Sequence, residues 1–167
     1  MLREYQQRTI DQLYKWFADG HKGHPCIELP TGSGKSHIIA AVCQDAKMQW
    51  PDTRILMLTH VKELIEQNAE KLRQHWPEVP LGIYSAGLGS KRFDDITFAS
   101  IQSIRRVDPA ELGHFDLVLI DECHLVSHKQ EGGYRKLIDA LARINPAMRV
   151  IGLTATPYRL GHGLITD

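Results

Sequence analysis

The chain has 167 residues, with 20 basic and 20 acidic side chains, so it carries no net charge at neutral pH and no global field to draw it to nucleic acid. Its length suits one domain with a sizeable core, and three widely separated cysteines, Cys26, Cys43 and Cys123, argue against a disulfide framework or a zinc ribbon. No apolar run approaches the roughly 18 residues of a membrane span and no signal-peptide core is present, which leaves a cytoplasmic protein as the expectation.

Taken in chain order, Tyr5, Ile10, Leu13, Tyr14 and Phe17 recur at helical spacing and predict a first helix over residues 4–18. A short strand over 26–29 leads into Leu29-Pro30-Thr31-Gly32-Ser33-Gly34-Lys35-Ser36, and a helix over 35–48 follows with Ile38, Ile39, Ala41 and Val42 on apolar positions. Strand, Gly-rich turn and helix have the chemistry of a phosphate-binding loop. Gly32 and Gly34 let the backbone turn tightly and aim N–H groups at an anion, beside the positive end of the helix dipole. In that reading Thr31, Gly32, Ser33 and Gly34 cradle phosphate, Lys35 reaches the β/γ-phosphates and Ser36 ligates Mg²⁺. The strict pattern asks for Gly where Leu29 stands, a departure that Pro30-Thr31-Gly32 absorbs in shaping the turn. In an empty loop Lys35 is expected to face solvent, so that its truncation costs the core nothing.

The strand Ile55-Leu56-Met57-Leu58 comes next, then a helix near 61–75 and a strand near 81–84. A Gly-rich connection from Gly87 to Ser90 leads to a strand near 95–99 and a short helix from Ile101. Thr59, His60 and Lys62 follow one buried strand, and Ser100, Gln102 and Ser103 follow another. Both sets therefore arrive at the same sheet edge, where their donors suit nucleic-acid phosphates rather than base edges. The plainer reading has Thr59 or His60 capping the helix, and the two roles can coexist. Met57, Met148 and the aromatics of the first helix read as core.

Phe115-Asp116-Leu117-Val118-Leu119-Ile120 is an apolar run that reads as a strand buried on both faces of a parallel sheet. Asp121-Glu122-Cys123-His124 emerges at its carboxyl end, where open α/β sheets bind ligands. Asp121 is expected to hold Mg²⁺, largely through its water shell, and Glu122 to orient the attacking water. Two adjacent carboxylates without a metal raise each other's pKa and make a poor structural choice. Cys123, His124 and His128 form the one tempting metal cluster, and zinc there is set aside because the acidic motif already explains His124. A helix over 132–144 and a strand from Arg149 to Leu153 complete a βα alternation. That alternation predicts an α/β fold, a mostly parallel central sheet with helices on both faces.

The loop Leu29 to Ser36, the tetrapeptide Asp121 to His124 and Thr154-Ala155-Thr156 resemble motifs I, II and III of superfamily 2 helicases and translocases. Their order and spacing resemble those of the first RecA-like motor domain, over essentially residues 1–167. Thr59 to Leu64 is similar to motif Ia, and Ala99 to Ser103 to a later strand-contacting motif. Leu2-Arg3-x-Tyr5-Gln6 resembles the Q-type motif of the DNA-directed branches, which implies that Gln6 reads the N6 and N7 edge of adenine. Gln7 is the alternative if the register is off by one, and Arg3 either contacts the nucleotide or lies at the surface. Gly152 to Gly161 is closest to RadD-like DNA-repair helicases, with type I restriction-enzyme motor subunits more distant.

The resemblance implies ATP and Mg²⁺ as cofactors and DNA, gripped by its backbone, as partner. It also implies that Thr154 and Thr156 hydrogen-bond Glu122 or His124 and so couple the γ-phosphate to the nucleic-acid site. Such motors cleave ATP between two lobes, the second supplying an arginine finger worth about 10³–10⁵ in rate. With that lobe absent from these residues, the chain is expected to bind nucleotide and hydrolyse it slowly or not at all. Two alternatives stand beside this: an RNA-directed helicase lobe, and a non-catalytic nucleotide-binding interaction module.

Overall fold

The computed structural model describes residues 4–19, 26–28, 35–121 and 128–154. Helix α1 (Glu4–Ala18) precedes strand β1 (Cys26–Glu28), α2 (Lys35–Gln49) and β2 (Ile55–Thr59). Then come α3 (Lys62–His75), β3 (Leu81–Ser85), a single 3₁₀ turn (Ala86–Leu88), β4 (Ser90–Lys91) and β5 (Ile96–Ser100). Short helices α4 (Ile101–Ile104) and α5 (Pro109–Leu112), β6 (Leu117–Asp121), α6 (His128–Ile144) and β7 (Arg149–Thr154) follow.

The strands form one sheet in the order β1-β7-β6-β2-β5-β3-β4. Every pairing is parallel except β3 with β4, the antiparallel edge. The α/β class and parallel sheet expected from the alternation are what the chain forms.

Because side chains alternate across a strand, each strand feeds two cores. Ile55 and Met57 of β2, Ile96 and Phe98 of β5, Leu119 of β6 and Ile151 and Leu153 of β7 pack with α1, α2 and α3. Leu56, Leu58, Val118, Ile120 and Val150 pack on the other face with Tyr134, Leu137 and Leu141 of α6 and with Leu112 of α5. Burial on both faces explains the continuous apolar runs, and Met57 and Met148 lie in the core as expected.

Three elements were not legible in advance. The segment read as a Gly-rich connection contains the 3₁₀ turn, closed by Gly89 at φ 68°, and then the two-residue strand β4. Helix α5 is a single turn capped by Asp108, whose side chain accepts from Ala110 N, with Pro109 at its first position. These pieces are too short to carry a periodic signal.

At the amino edge of the sheet Arg54 locks β2 to β6. Its backbone N–H donates to Asp116 Oδ2 at 2.9 Å, its Nη1 donates to the carbonyls of Leu112 and His114, and its guanidinium lies 4.5 Å from the centre of the Phe115 ring. With register set there, the carboxyl ends of β6 and β2 arrive side by side at the opposite edge: Leu58 pairs with Ile120, one residue before Thr59 and Asp121.

Candidate nucleotide site and strand-tip surface

Alternation in β6 places Asp121 on the same face as Leu119, the face covered by α2 and α3. Asp121 is completely buried at the carboxyl end of its strand. Lys35, the first residue of α2, meets it there: Lys35 Nζ lies 2.7 Å from Asp121 Oδ1, and only 13% of the lysine side chain is exposed. The expectation of a solvent-facing Lys35 is therefore corrected. A fully buried carboxylate requires a compensating charge, and the lysine at the mouth of α2 supplies it. Ser36 lies beside it, half-buried in the first turn of α2.

The second oxygen of Asp121 is held from another helix. Asn68 Nδ2 donates to Asp121 Oδ2 at 2.7 Å, and Asn68 is itself only 1% exposed. Sequence reading missed this residue. Its signal was there: Ile65, Asn68, Ala69 and Leu72 form the buried stripe of α3 at i, i+3, i+4 and i+7, and an amide in such a stripe demands a partner.

The rest of the predicted constellation divides by what is described. Arg3, Thr31, Gly32, Ser33, Gly34, Glu122, His124 and Thr156 lie outside the described residues, as does Cys123. Gln6 falls within α1 and Thr154 ends β7, but their side chains are outside the description. The backbone register still places Thr154 one residue beyond Leu153, the partner of Asp121, and opposite Glu28 of β1. That brings the start of the third motif to the edge where β6 ends.

The ends of β2 and β5 are also neighbours, Thr59 pairing with Ser100, so the two predicted nucleic-acid segments meet. Their side chains differ in availability. Thr59 is buried, and its Oγ1 accepts from Val61 N at 3.2 Å; the helix cap itself is Val61, which makes no side-chain cap bond. Neither Thr59 nor His60 is thus the cap of α3. Ser100 does cap α4, its Oγ accepting from Ser103 N at 3.2 Å.

Gln102 is exposed and donates from Nε2 to the His60 carbonyl at 3.3 Å, tying the two segments together. Lys62 is exposed, its stem lying against Gly87 of the 3₁₀ turn. His60 is half-buried, and burial holds its pKa below the ordinary imidazole value. Its Nδ1 has no hydrogen-bond partner among the described residues.

A cavity of about 890 Å³, lined in part by Tyr14, Trp50, His114 and Arg149, opens near the amino edge and contains none of the predicted residues. Among the described residues no helix is long and apolar enough to cross a membrane.

Comparison with known proteins places the chain in a family and matches its fold. A family model described as type III restriction enzyme, res subunit, matches residues 1–159. The mouse (Mus musculus) ATP-dependent RNA helicase DHX58 is 29% identical over 153 residues, covering 78% of this chain and 22% of that protein. An Escherichia coli type I restriction enzyme EcoAI endonuclease subunit is 25% identical over 175 residues, covering 99% of this chain and 20% of that one. The chain thus spans about a fifth of the length of either relative. Among solved structures, the UvsW helicase from bacteriophage T4 superposes with a TM-score of 0.73 at 20% identity, over 98% of this chain and 55% of that one, a likeness of fold.

Proposed function

The chain belongs to the family described as the type III restriction enzyme res subunit, within the superfamily 2 RecA-like ATPase domains, and from that premise we propose that it is the ATP-binding lobe of a DNA-dependent helicase or translocase. The observation that carries the reading is the Lys35–Asp121 pair. It joins the start of the helix that follows the Gly-rich turn to the carboxyl end of the strand that precedes Glu122. In this reading Lys35 exchanges that carboxylate for phosphate when nucleotide binds.

In this reading Thr31, Gly32, Ser33 and Gly34 bind phosphate through their backbone, Gln6 selects adenine with Arg3 beside it, and Glu122 orients water. His124, Thr154 and Thr156 couple the nucleotide to the strand tips. The donors fit Mg²⁺. It prefers hard oxygen ligands, keeps several waters and needs one or two carboxylates plus phosphate oxygens, which Asp121 and the Ser36 hydroxyl would complement. When bound, the ion neutralises charge developing on the phosphates.

DNA is favoured over RNA by the Arg3-x-Tyr5-Gln6 and Asp-Glu-Cys-His patterns and by the restriction-enzyme character of the family. The mouse relative, named as an RNA helicase, supports the second reading. A role in DNA repair or recombination rests on the likeness of Gly152 to Gly161 to RadD-like helicases.

Calorimetry tests the nucleotide site. The chain is expected to bind MgADP, to prefer ATP over GTP by roughly tenfold to a hundredfold through Gln6, and to lose binding in Lys35→Ala. Undiminished MgADP binding by Lys35→Ala would remove the phosphate-loop assignment. In the parent protein Glu122→Gln is expected to bind ATP without turnover, and stimulation of turnover by DNA but not RNA decides the substrate.

A further inference from the structure

We propose that Asn68 is a positioning residue for Asp121, holding its carboxylate in the orientation that Mg²⁺–nucleotide binding uses; the inference rests on the nucleotide-site reading above. Asn68 occupies a core position of α3 where leucine would bury more apolar surface, between Ile65 and Leu72 of the same stripe. A buried amide there is costly unless it is bonded. Its Nδ2 donates to Asp121 Oδ2 at 2.7 Å. An ionised carboxylate only accepts, so the partner dictates which end of the amide faces it.

Lys35 holds the other oxygen, so helices α2 and α3 each grip one oxygen of a single carboxylate. The two grips differ in kind. Lys35 must leave Asp121 to reach phosphate, whereas Asn68 has no other partner among the described residues and keeps the carboxylate plane when the lysine departs. The remaining polar atom agrees with this role: Asn68 Oδ1 is buried with no hydrogen-bond partner among the described residues. Such an orphaned acceptor beside the carboxylate is what an ion-bound water satisfies, and a purely structural amide would be expected to have both ends paired.

The consequence is a link between two surfaces. Helix α3 begins at Lys62 on the strand-tip surface and, two turns later, touches Asp121 through Asn68. A shift of α3 on engaging nucleic acid therefore moves the group that orients Asp121.

Titration calorimetry with ADP, in the presence and absence of Mg²⁺, tests the proposal on the chain, Asn68→Leu, Asp121→Asn and the double variant. Leucine matches asparagine in size and removes both the donor and the orphaned acceptor. Asn68→Leu is expected to reduce the factor by which Mg²⁺ tightens ADP by about tenfold, while ADP alone is weakened far less. In the Asp121→Asn background the same substitution is expected to change nothing further, because both act through one carboxylate.

A full Mg²⁺ effect in Asn68→Leu, equal weakening of ADP and MgADP, or additivity with Asp121→Asn overturns the assignment. Should Asn68→Leu fail to fold, Asn68→Ala carries the same expectations. Failure of the unsubstituted chain to bind ADP overturns the nucleotide site itself and the proposal with it. A normal Mg²⁺ effect that survives in Asn68→Leu removes Asn68 alone.

Discussion

Lys35 has two duties that pull in different directions. In the proposed site it is the phosphate-binding cation, and within the fold it neutralises a carboxylate with no exposed surface. Removing one partner of a buried pair strands the other charge, at a cost of about 3 kcal/mol. Lys35→Ala is therefore expected to lower unfolding free energy by about that amount in a urea titration, as well as to lose MgADP binding. Saturating phosphate would not rescue it, since the stranded group is itself an anion. A variant as stable as the parent would mean that Asn68 suffices to hold Asp121. His60 is the second residue whose state matters. Burial depresses its pKa, so the folded chain binds fewer protons there than the unfolded chain. Its contribution to stability is present above the unfolded pKa of about 6.5 and is lost as pH falls through the lower folded value. His60→Asn is expected to lose less stability than the parent between pH 7 and pH 5, measured as the shift in urea midpoint. In the proposed strand-tip surface a neutral His60 would meet phosphate as a hydrogen-bonding group, leaving Lys62 to supply charge.

Among the described elements, the β3–β4 edge is tightly constrained at Gly82. A Cβ on Gly82 would lie 2.5 Å from the Arg92 carbonyl oxygen and 2.9 Å from Asp94 N, backbone atoms that cannot step aside. The chain leaving β4 folds back over β3 at this point, with Arg92 N donating to the Ile83 carbonyl at 3.0 Å and Tyr84 stacked on Phe93 at 4.6 Å between ring centres. Gly82→Ala is expected to cost roughly 1–3 kcal/mol, the usual range for forcing atoms into a packed site. Loss of the Tyr84–Phe93 contact in an aromatic NMR spectrum would locate the damage. Close by, at the amino ends of β2 and β5, Lys47 serves a similar purpose, donating from the end of α2 to the carbonyls of Pro51 and Thr53 and to Asp95 Oδ2. It fixes where β2 begins, and so where Thr59 ends.

For the molecule as a whole, basic and acidic charges cancel. Whatever draws nucleic acid must be local, and the strand-tip surface offers a short list: Lys62 and Gln102 exposed, His60 half-buried, with Thr59 and Ser100 shaping the turns beneath them. A surface this sparse is expected to bind DNA in the non-specific range of about 10⁻⁴–10⁻⁶ M and to weaken as salt rises. Lys62→Ala is expected to weaken binding uniformly across sequences and to reduce the salt slope by about one unit, read by filter binding at two salt concentrations. Tight, sequence-selective binding would instead require contacts to base edges and would replace the translocase reading with a specific DNA-binding module.

Local chemistry carried much of this in the sequence alone. Apolar runs followed by helices of matching length dictate a parallel sheet, because each rests on contacts between near neighbours in the chain, and the Gly-rich segment before Lys35 and the acidic pair after a buried strand are the local motifs from which the nucleotide site is proposed. Alternation within β6 even settles which face Asp121 takes. Tertiary structure decided the rest. That Lys35 turns inward, that Asn68 completes the grip on Asp121, and that Ser100 and Thr59 bond backbone while Lys62 and Gln102 stay exposed all depend on residues remote in sequence. No periodicity encodes such pairings, because burial is imposed by whichever helix happens to pack there, and a buried charge or amide then takes the partner that packing brings within reach.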